Sequence, residues 1–231
     1  MASSKALRDD ILNVLDYLSD AELVLFANSV SMTPTRVTWH SYDPAAQFIV
    51  SRDHPTIDQY LQWVSSGAYS AVMLDGSLLQ FTYSLDDKRI TGHRLAYVPC
   101  PFDVDRELLA GGDSLVDIMD LYRGTDAVLR SPLRIDFDPA SAKPEHPTTH
   151  LTINSADCRI PCVAPVHVLR FVDMVFRNFY APYWRAHRPF FRTAAWRHLD
   201  VEPARDLDRT VPHILWDIRA TAQDLAAQDV G

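Results

Sequence analysis

The stretch "RIDFDPASAKPEHPTTHLTIN", Arg134 to Asn154, decides how this chain is read. Successive side chains of a strand point to opposite faces. Leu133, Ile135 and Phe137 therefore share one face, and Arg134, Asp136 and Asp138 share the other. Leu151 and Ile153 alternate in the same way with His150, Thr152 and Asn154. The polar, proline-containing link from Pro139 to Pro147 reads as a loop. Antiparallel pairing of these two strands would send the apolar faces to a core. It would gather Arg134, Asp136, Asp138, His150 and Thr152 on one polar face.

The neighbouring sequence has the same character. Ala71 to Leu74 reads as a strand that ends at the Asp75-Gly76 turn. Leu79, Phe81, Tyr83 and Leu85 then alternate with Leu78, Gln80, Thr82 and Ser84, a period of two that sets Gln80 and Thr82 on a polar face. After Asp86-Asp87-Lys88, Arg89 to Val98 returns as a strand and stops at Pro99-Cys100-Pro101. Arg159 to Val163 and Val37 to His40 are read as further short strands.

Helical spacing flanks this meander. Leu7, Ile11, Val14, Leu15 and Leu18 mark one helix, and the Ser19 to Glu22 capping box predicts a second. Thr56 to Val64 and Asp105 to Arg123 read as helices, the latter weakened by Gly111-Gly112. Pro165 opens a helix striped by Val168, Val172, Val175, Phe176 and Phe179, and Leu207 to Gln223 is read as the last helix. The sum is a single α+β domain over residues 1–231. It comprises an N-terminal helical arm over 1–30, an antiparallel sheet region over 70–163 and C-terminal helices over 165–225.

Composition narrows the function classes. No apolar run of the N-terminus resembles a signal peptide, and none approaches a membrane span, so a cytoplasmic protein without membrane contact is expected. Three cysteines, Cys100, Cys158 and Cys162, make no disulfide framework. A formal charge of −8 argues against a generic nucleic-acid coat, but the charge is unevenly spread. Arg159 to Arg197 holds seven arginines and one acid, which leaves −14 on the remainder.

The polar strand face carries the chemistry. Imidazole shuttles protons near neutral pH, and an adjacent carboxylate orients it. His150 is the expected general base or acid, with His93 as counterpart and Asp136 as the orienting group. Guanidinium suits phosphate, which assigns anion binding to Arg94, Arg134 and Arg159. The opposing expectation is that Arg134, Asp136 and Asp138 form an ordinary wet outer face. Asp136 and Asp138 also offer oxygen ligands for a divalent ion. His146, His150, Cys158 and Cys162 are zinc-type ligands, but they lack the C-x-x-C spacing of a structural site, so neither a metal nor a cofactor is expected. His150-Leu-Thr-Ile matches one H-x-T-apolar element of the two-histidine phosphoesterases, which use two; His93-Arg-Leu-Ala does not supply the second. "RNFYAPYWRAHRPFFRTAAWR", Arg177 to Arg197, offers phosphate partners and stacking surfaces together, and it brings Arg177 into the substrate-binding set. The other expectation for its aromatics is a helix core rimmed by arginine.

"DGSLLQFTY", "HRLAYVPCP", "LRIDFDP…HPTTH" and "CRIP…FRNFY" occur in that order. Over Asp75 to Tyr180 this series resembles the bacterial family called domain of unknown function 2290. A looser pattern is similar to the TumE-type toxins of toxin–antitoxin modules: a DGS strand, an H-R-x-x-Y strand, an L-R-x-D strand, a His-Pro loop and a histidine strand. That likeness implies a compact α+β ribonuclease fold. It points to Asp75, His93, Arg94, Tyr97, Arg134, Asp136, His146 and His150. The chain departs from it in two places: Gln80 to Leu85 carries no acid, and the last strand holds one histidine instead of two.

The expected function is thus a nuclease or related phosphoesterase of a toxin or phage-defence module, acting on RNA or a nucleotide. The alternatives are a non-catalytic partner (antitoxin, immunity or adaptor component) and a nucleic-acid-binding module. A protein encoded by a neighbouring gene and a second copy of the chain are the further expected partners.

Overall fold

In the computed structural model, the described residues are 3–40, 56–86, 89–143, 146–154, 158–162 and 165–196. The expected last helix, Leu207 to Gln223, lies outside them, as does the Asp87-Lys88 part of the turn.

The strands are β1 Val24–Ala27, β2 Val30–Thr33, β3 Arg36–Trp39, β4 Ala71–Met73, β5 Leu78–Asp86, β6 Arg89–Val98, β7 Leu133–Phe137, β8 Thr149–Ile153 and β9 Arg159–Pro161. They form one antiparallel sheet in the order β1-β4-β5-β6-β7-β8-β9, with the β2-β3 hairpin attached to β5 through β3. The helices are α1 Ser4–Asp20, α2 Ile57–Ser66, α3 Arg106–Ala110, α4 Leu115–Tyr122, α5 Val168–Phe179, α6 Ala181–Ala186 and α7 Arg188–Arg192. The fold is α+β, with an antiparallel sheet packed by helices.

The two faces of the sheet are covered differently. On the first, Leu79, Phe81, Tyr83, Leu95, Ile135 and Leu151 meet the apolar stripes of α1 and α5. The N-terminal helix is therefore part of the main core and not a projecting arm. Buried His167 ties the two helices together: its Nδ1 caps α5 by accepting the Leu169 N–H at 3.1 Å, and its Nε2 lies 3.1 Å from Asp10 Oδ2 on α1. On the second face, Leu78, Ala96 and Val98 pack against α2 and α4 through Tyr60, Trp63, Ile118 and Met119. The Asp75-Gly76 turn lies beneath them. Gly76 has φ +83°, and a Cβ there would come within 3.3 Å of Cys100 Sγ and Met119 Cε.

Three local expectations are corrected. Ser19 does not open a second helix. Glu22 adopts φ 55°, the Leu23 N–H returns to the Leu18 carbonyl at 2.8 Å, and the chain leaves as β1. Burial of Leu23 and Val24 outweighs a local capping pattern. The helix expected from Asp105 to Arg123 breaks at its glycines into α3 and α4. Pro165 is not the first residue of α5; His167 is its cap, and buried Pro165 and Val166 lead into it.

Candidate functional site

Register brings the polar side chains together. Across the sheet, Thr82 pairs with Arg94, Arg94 with Asp136, and Asp136 with His150. In the adjacent row, Arg134 pairs with Thr152, and Thr152 with Arg159. Both rows lie on the second face, past the end covered by α2 and α4. There all of them but Thr152 line a cleft of about 500 Å³, together with Asp138, Ser141 and His146. This is the size of a small-ligand site.

It is not a wet outer face. Asp136 is 4% exposed and His150 1%. A carboxylate so buried needs partners. Arg134 Nε lies 2.5 Å from Asp136 Oδ2, and Arg94 Nε lies 3.3 Å from Oδ1. Burial pushes the Asp136 carboxyl up, but Arg134, His150 and Arg94 together outweigh it and hold the pKa at about 2. Arg134 is itself nine-tenths buried and donates to Asp136 through Nε; its terminal nitrogens have no hydrogen-bond partner among the described residues.

The two histidines of the His-Pro loop and β8 are oriented by backbone carbonyls. His146 Nδ1 lies 2.9 Å from the Ser141 carbonyl, and His150 Nδ1 lies 2.8 Å from the Pro147 carbonyl. A carbonyl only accepts, so each Nδ1 carries the proton and each Nε2 is left for other work. The rings are 4.7 Å apart between centroids. His146 is half-buried, with no partner for Nε2 among the described residues. His150 Nε2 is buried, without a hydrogen bond, 3.5 Å from Asp136 Oδ2. Asp138 lines the cleft and caps a 3₁₀ turn, accepting the Ser141 N–H at 3.2 Å.

Four of the expected site residues turn their side chains elsewhere. His93 borders the cleft beside Arg94 on β6, but its side chain faces the opposite way. It sits in the core against Tyr83 and Phe137, accepts the Val166 N–H at Nε2 (2.8 Å), and burial lowers its pKa to about 4. Tyr97 shares that core face. Its hydroxyl is 3.0 Å from that of Tyr180, which donates to Asp75 Oδ2 at 2.9 Å, so Asp75 also belongs to a structural network. Arg177 is on the outer side of α5, paired with Asp173 at 3.3 Å and lying 4.6 Å over the Trp184 ring. The Arg/aromatic stretch thus packs on the first face, while the cleft takes its arginines from β6, β7 and β9. Thr82 takes its expected place in the cleft, and its hydroxyl is 2.6 Å from that of Thr38. Gln80 shares the face, but its amide donates to the Ala68 carbonyl under α2. The Ser141 and Pro147 carbonyls that orient the imidazoles had no signal in residue type.

None of Cys100, Cys158 and Cys162 forms a disulfide. No helix of the described residues is long and apolar enough to cross a membrane.

Comparison with known families agrees with the motif series and extends it. The family model described as uncharacterized conserved protein (DUF2290) matches residues 19–216, and the chain belongs to that family. The match is wider than the Asp75 to Tyr180 blocks; it takes in the end of α1 and residues beyond α7. No curated protein matches the chain, and no solved structure does. The likeness to TumE-type toxins accordingly gains no support.

Proposed function

We propose that the cleft binds and cleaves phosphoesters, and that the protein is a toxin-like or phage-defence-associated nuclease or related phosphoesterase acting on RNA or nucleotides. One observation carries this reading. Two imidazoles, each with Nδ1 tied to a carbonyl, stand beside Arg94, Arg134 and Arg159 in one cleft. Guanidinium forks suit the oxygens of a phosphate, and a pair of oriented imidazoles suits proton transfer to and from its ester oxygens. His146, with its open Nε2, replaces His93 as the counterpart of His150. Asp136 positions Arg94, Arg134 and His150.

The test is growth of a bacterial host after induced expression of wild type, His150→Ala and Asp136→Asn. Toxicity lost in both soluble variants supports an active site in the cytoplasm. A folded wild type that does no harm sinks the toxin reading and moves weight to a partner role, tested by capture of proteins from neighbouring genes. The burial of His150 Nε2 favours a second reading, phosphate binding without turnover. Salt-sensitive RNA binding with no product would identify it. Light scattering of the pure chain would test the expected second copy.

A further inference from the structure

The arginines of the cleft stand at two separate places. Arg94 and Arg134 converge on Asp136: their Nε atoms lie 3.3 Å from Oδ1 and 2.5 Å from Oδ2. One carboxylate thus pins both guanidinium groups at the boundary of β6 and β7. The Arg134 side chain runs along its own strand to reach Asp136, two residues on. It is nine-tenths buried, and its terminal nitrogens have no hydrogen-bond partner among the described residues. Two guanidinium charges against one carboxylate leave this place positive. Arg159 stands apart on β9, in the row Arg134-Thr152-Arg159, with β8 between. Two inter-strand spacings set the Arg134 and Arg159 backbones about 10 Å apart. The His150 ring, held by the Pro147 carbonyl, lies on the intervening strand.

We infer that the cleft seats two phosphates, one at Arg94 and Arg134 and one at Arg159, so that its ligand is a strand of at least two linked nucleotides and not a mononucleotide. This rests on the reading of the cleft as a phosphoester site and names its substrate class. Across the sheet the lining runs from Thr82 and Ser84 on β5 to Arg159 on β9. Four inter-strand spacings make that about 19 Å. The β5 end carries hydroxyls and no charge. A nucleic-acid strand alternates charged phosphates with neutral sugars and bases, which matches two cationic places followed by an uncharged end. A mononucleotide has its phosphate at one end and reaches one place only. The phosphates of a pyrophosphate share an oxygen and lie too close together to reach both. The second carboxylate of the lining, Asp138, lies toward the Ser141 turn, on the side of Asp136 away from the Arg134-Arg159 row, and does not interrupt this path. Guanidinium forks hold phosphate oxygens in pairs, so each place adds its own share of affinity.

The experiment measures binding to the full chain by calorimetry at low salt. The ligands are inorganic phosphate, adenosine monophosphate, fructose bisphosphate and a 5′-phosphorylated adenylate dinucleotide. A methylene in place of the bridging 5′ oxygen keeps the dinucleotide from being cut. The dinucleotide should bind at least ~10-fold more tightly than the mononucleotide. Arg159 is half-buried on β9, the last strand of the sheet order, so Arg159→Ala keeps the fold. That variant should lose the gain and hold the mononucleotide within about twofold of wild type. Arg134→Lys keeps the charge but loses the fork, and should weaken both ligands alike. Should Arg134→Lys fail to fold, the Arg159→Ala measurements still decide. Equal affinity for the two nucleotides, or an Arg159→Ala that weakens both alike, would overturn the inference and leave a single phosphate seat. Fructose bisphosphate bound as tightly as the dinucleotide would overturn the strand as ligand. No binding of any of the four overturns the proposed function as well.

Discussion

Acid should destabilise this protein through His93, a histidine whose ring turns away from the cleft. Its ring is buried on the apolar face of β6, and Nε2 accepts the Val166 N–H. Burial lowers its pKa from 6.5 to about 4, against the opposing pull of Asp136. Between those values the unfolded chain binds a proton that the native chain refuses. The His93 contribution is therefore fully present above pH 6.5 and is lost as pH falls to about 4. A separation of about 2.5 pH units corresponds to about 3 kcal/mol. The native pKa of Asp136 is also depressed, to about 2, so its contribution is lost only below the ordinary carboxylate value of 3.8. The assay is urea unfolding in steps from about pH 7.5 to about pH 4, on wild type and His93→Gln. The glutamine oxygen retains an acceptor for Val166 and does not titrate. Over this window wild type should lose about 3 kcal/mol more than the variant, whatever the variant costs at pH 7.5. Equal losses in the two proteins would refute the burial argument.

Further outcomes are expected. Asp136→Ala leaves Arg134 buried without its counter-charge and should cost about 3–5 kcal/mol in chemical unfolding; wild-type stability would show that Arg134 is hydrated instead. His146→Ala removes a half-buried ring that, among the described residues, bonds only a backbone carbonyl, so stability should move by less than about 1 kcal/mol while RNA cleavage falls at least ~10²-fold. A large stability loss there would make His146 structural. His167→Ala removes the α5 cap and its tie to Asp10 and should cost about 1–2 kcal/mol, read as a lower Tm; an unchanged Tm would mean that the cap adds nothing.

Much of the sheet was legible because strand alternation is a local property. The faces assigned to Leu133 through Asp138 and to His150 through Asn154 follow from the direction of each Cβ, and the register across β7 and β8 sets Asp136 opposite His150. The same rule, carried from Arg94 to its neighbour, turns the His93 side chain to the other face. The arginine-rich stretch carried two expectations, and its aromatics follow the second, a helix core rimmed by arginine. Charge density along a chain does not say which layer a helix joins, and the strong stripe of α5 sends it to the first face with α1.

What the sequence by itself determined is the period of each element and the side on which its polar residues fall, since φ and ψ preferences and side-chain direction act between neighbours. What only the tertiary structure decided is which polar residues meet and how dry they are. That Gln80 ends beneath α2 while Asp136 and His150 line a cleft depends on where helices remote in sequence stop covering the sheet. The orientation of both imidazoles depends on carbonyls that every residue carries. Coverage and carbonyl direction arise from long-range packing, which no short window of residue types encodes.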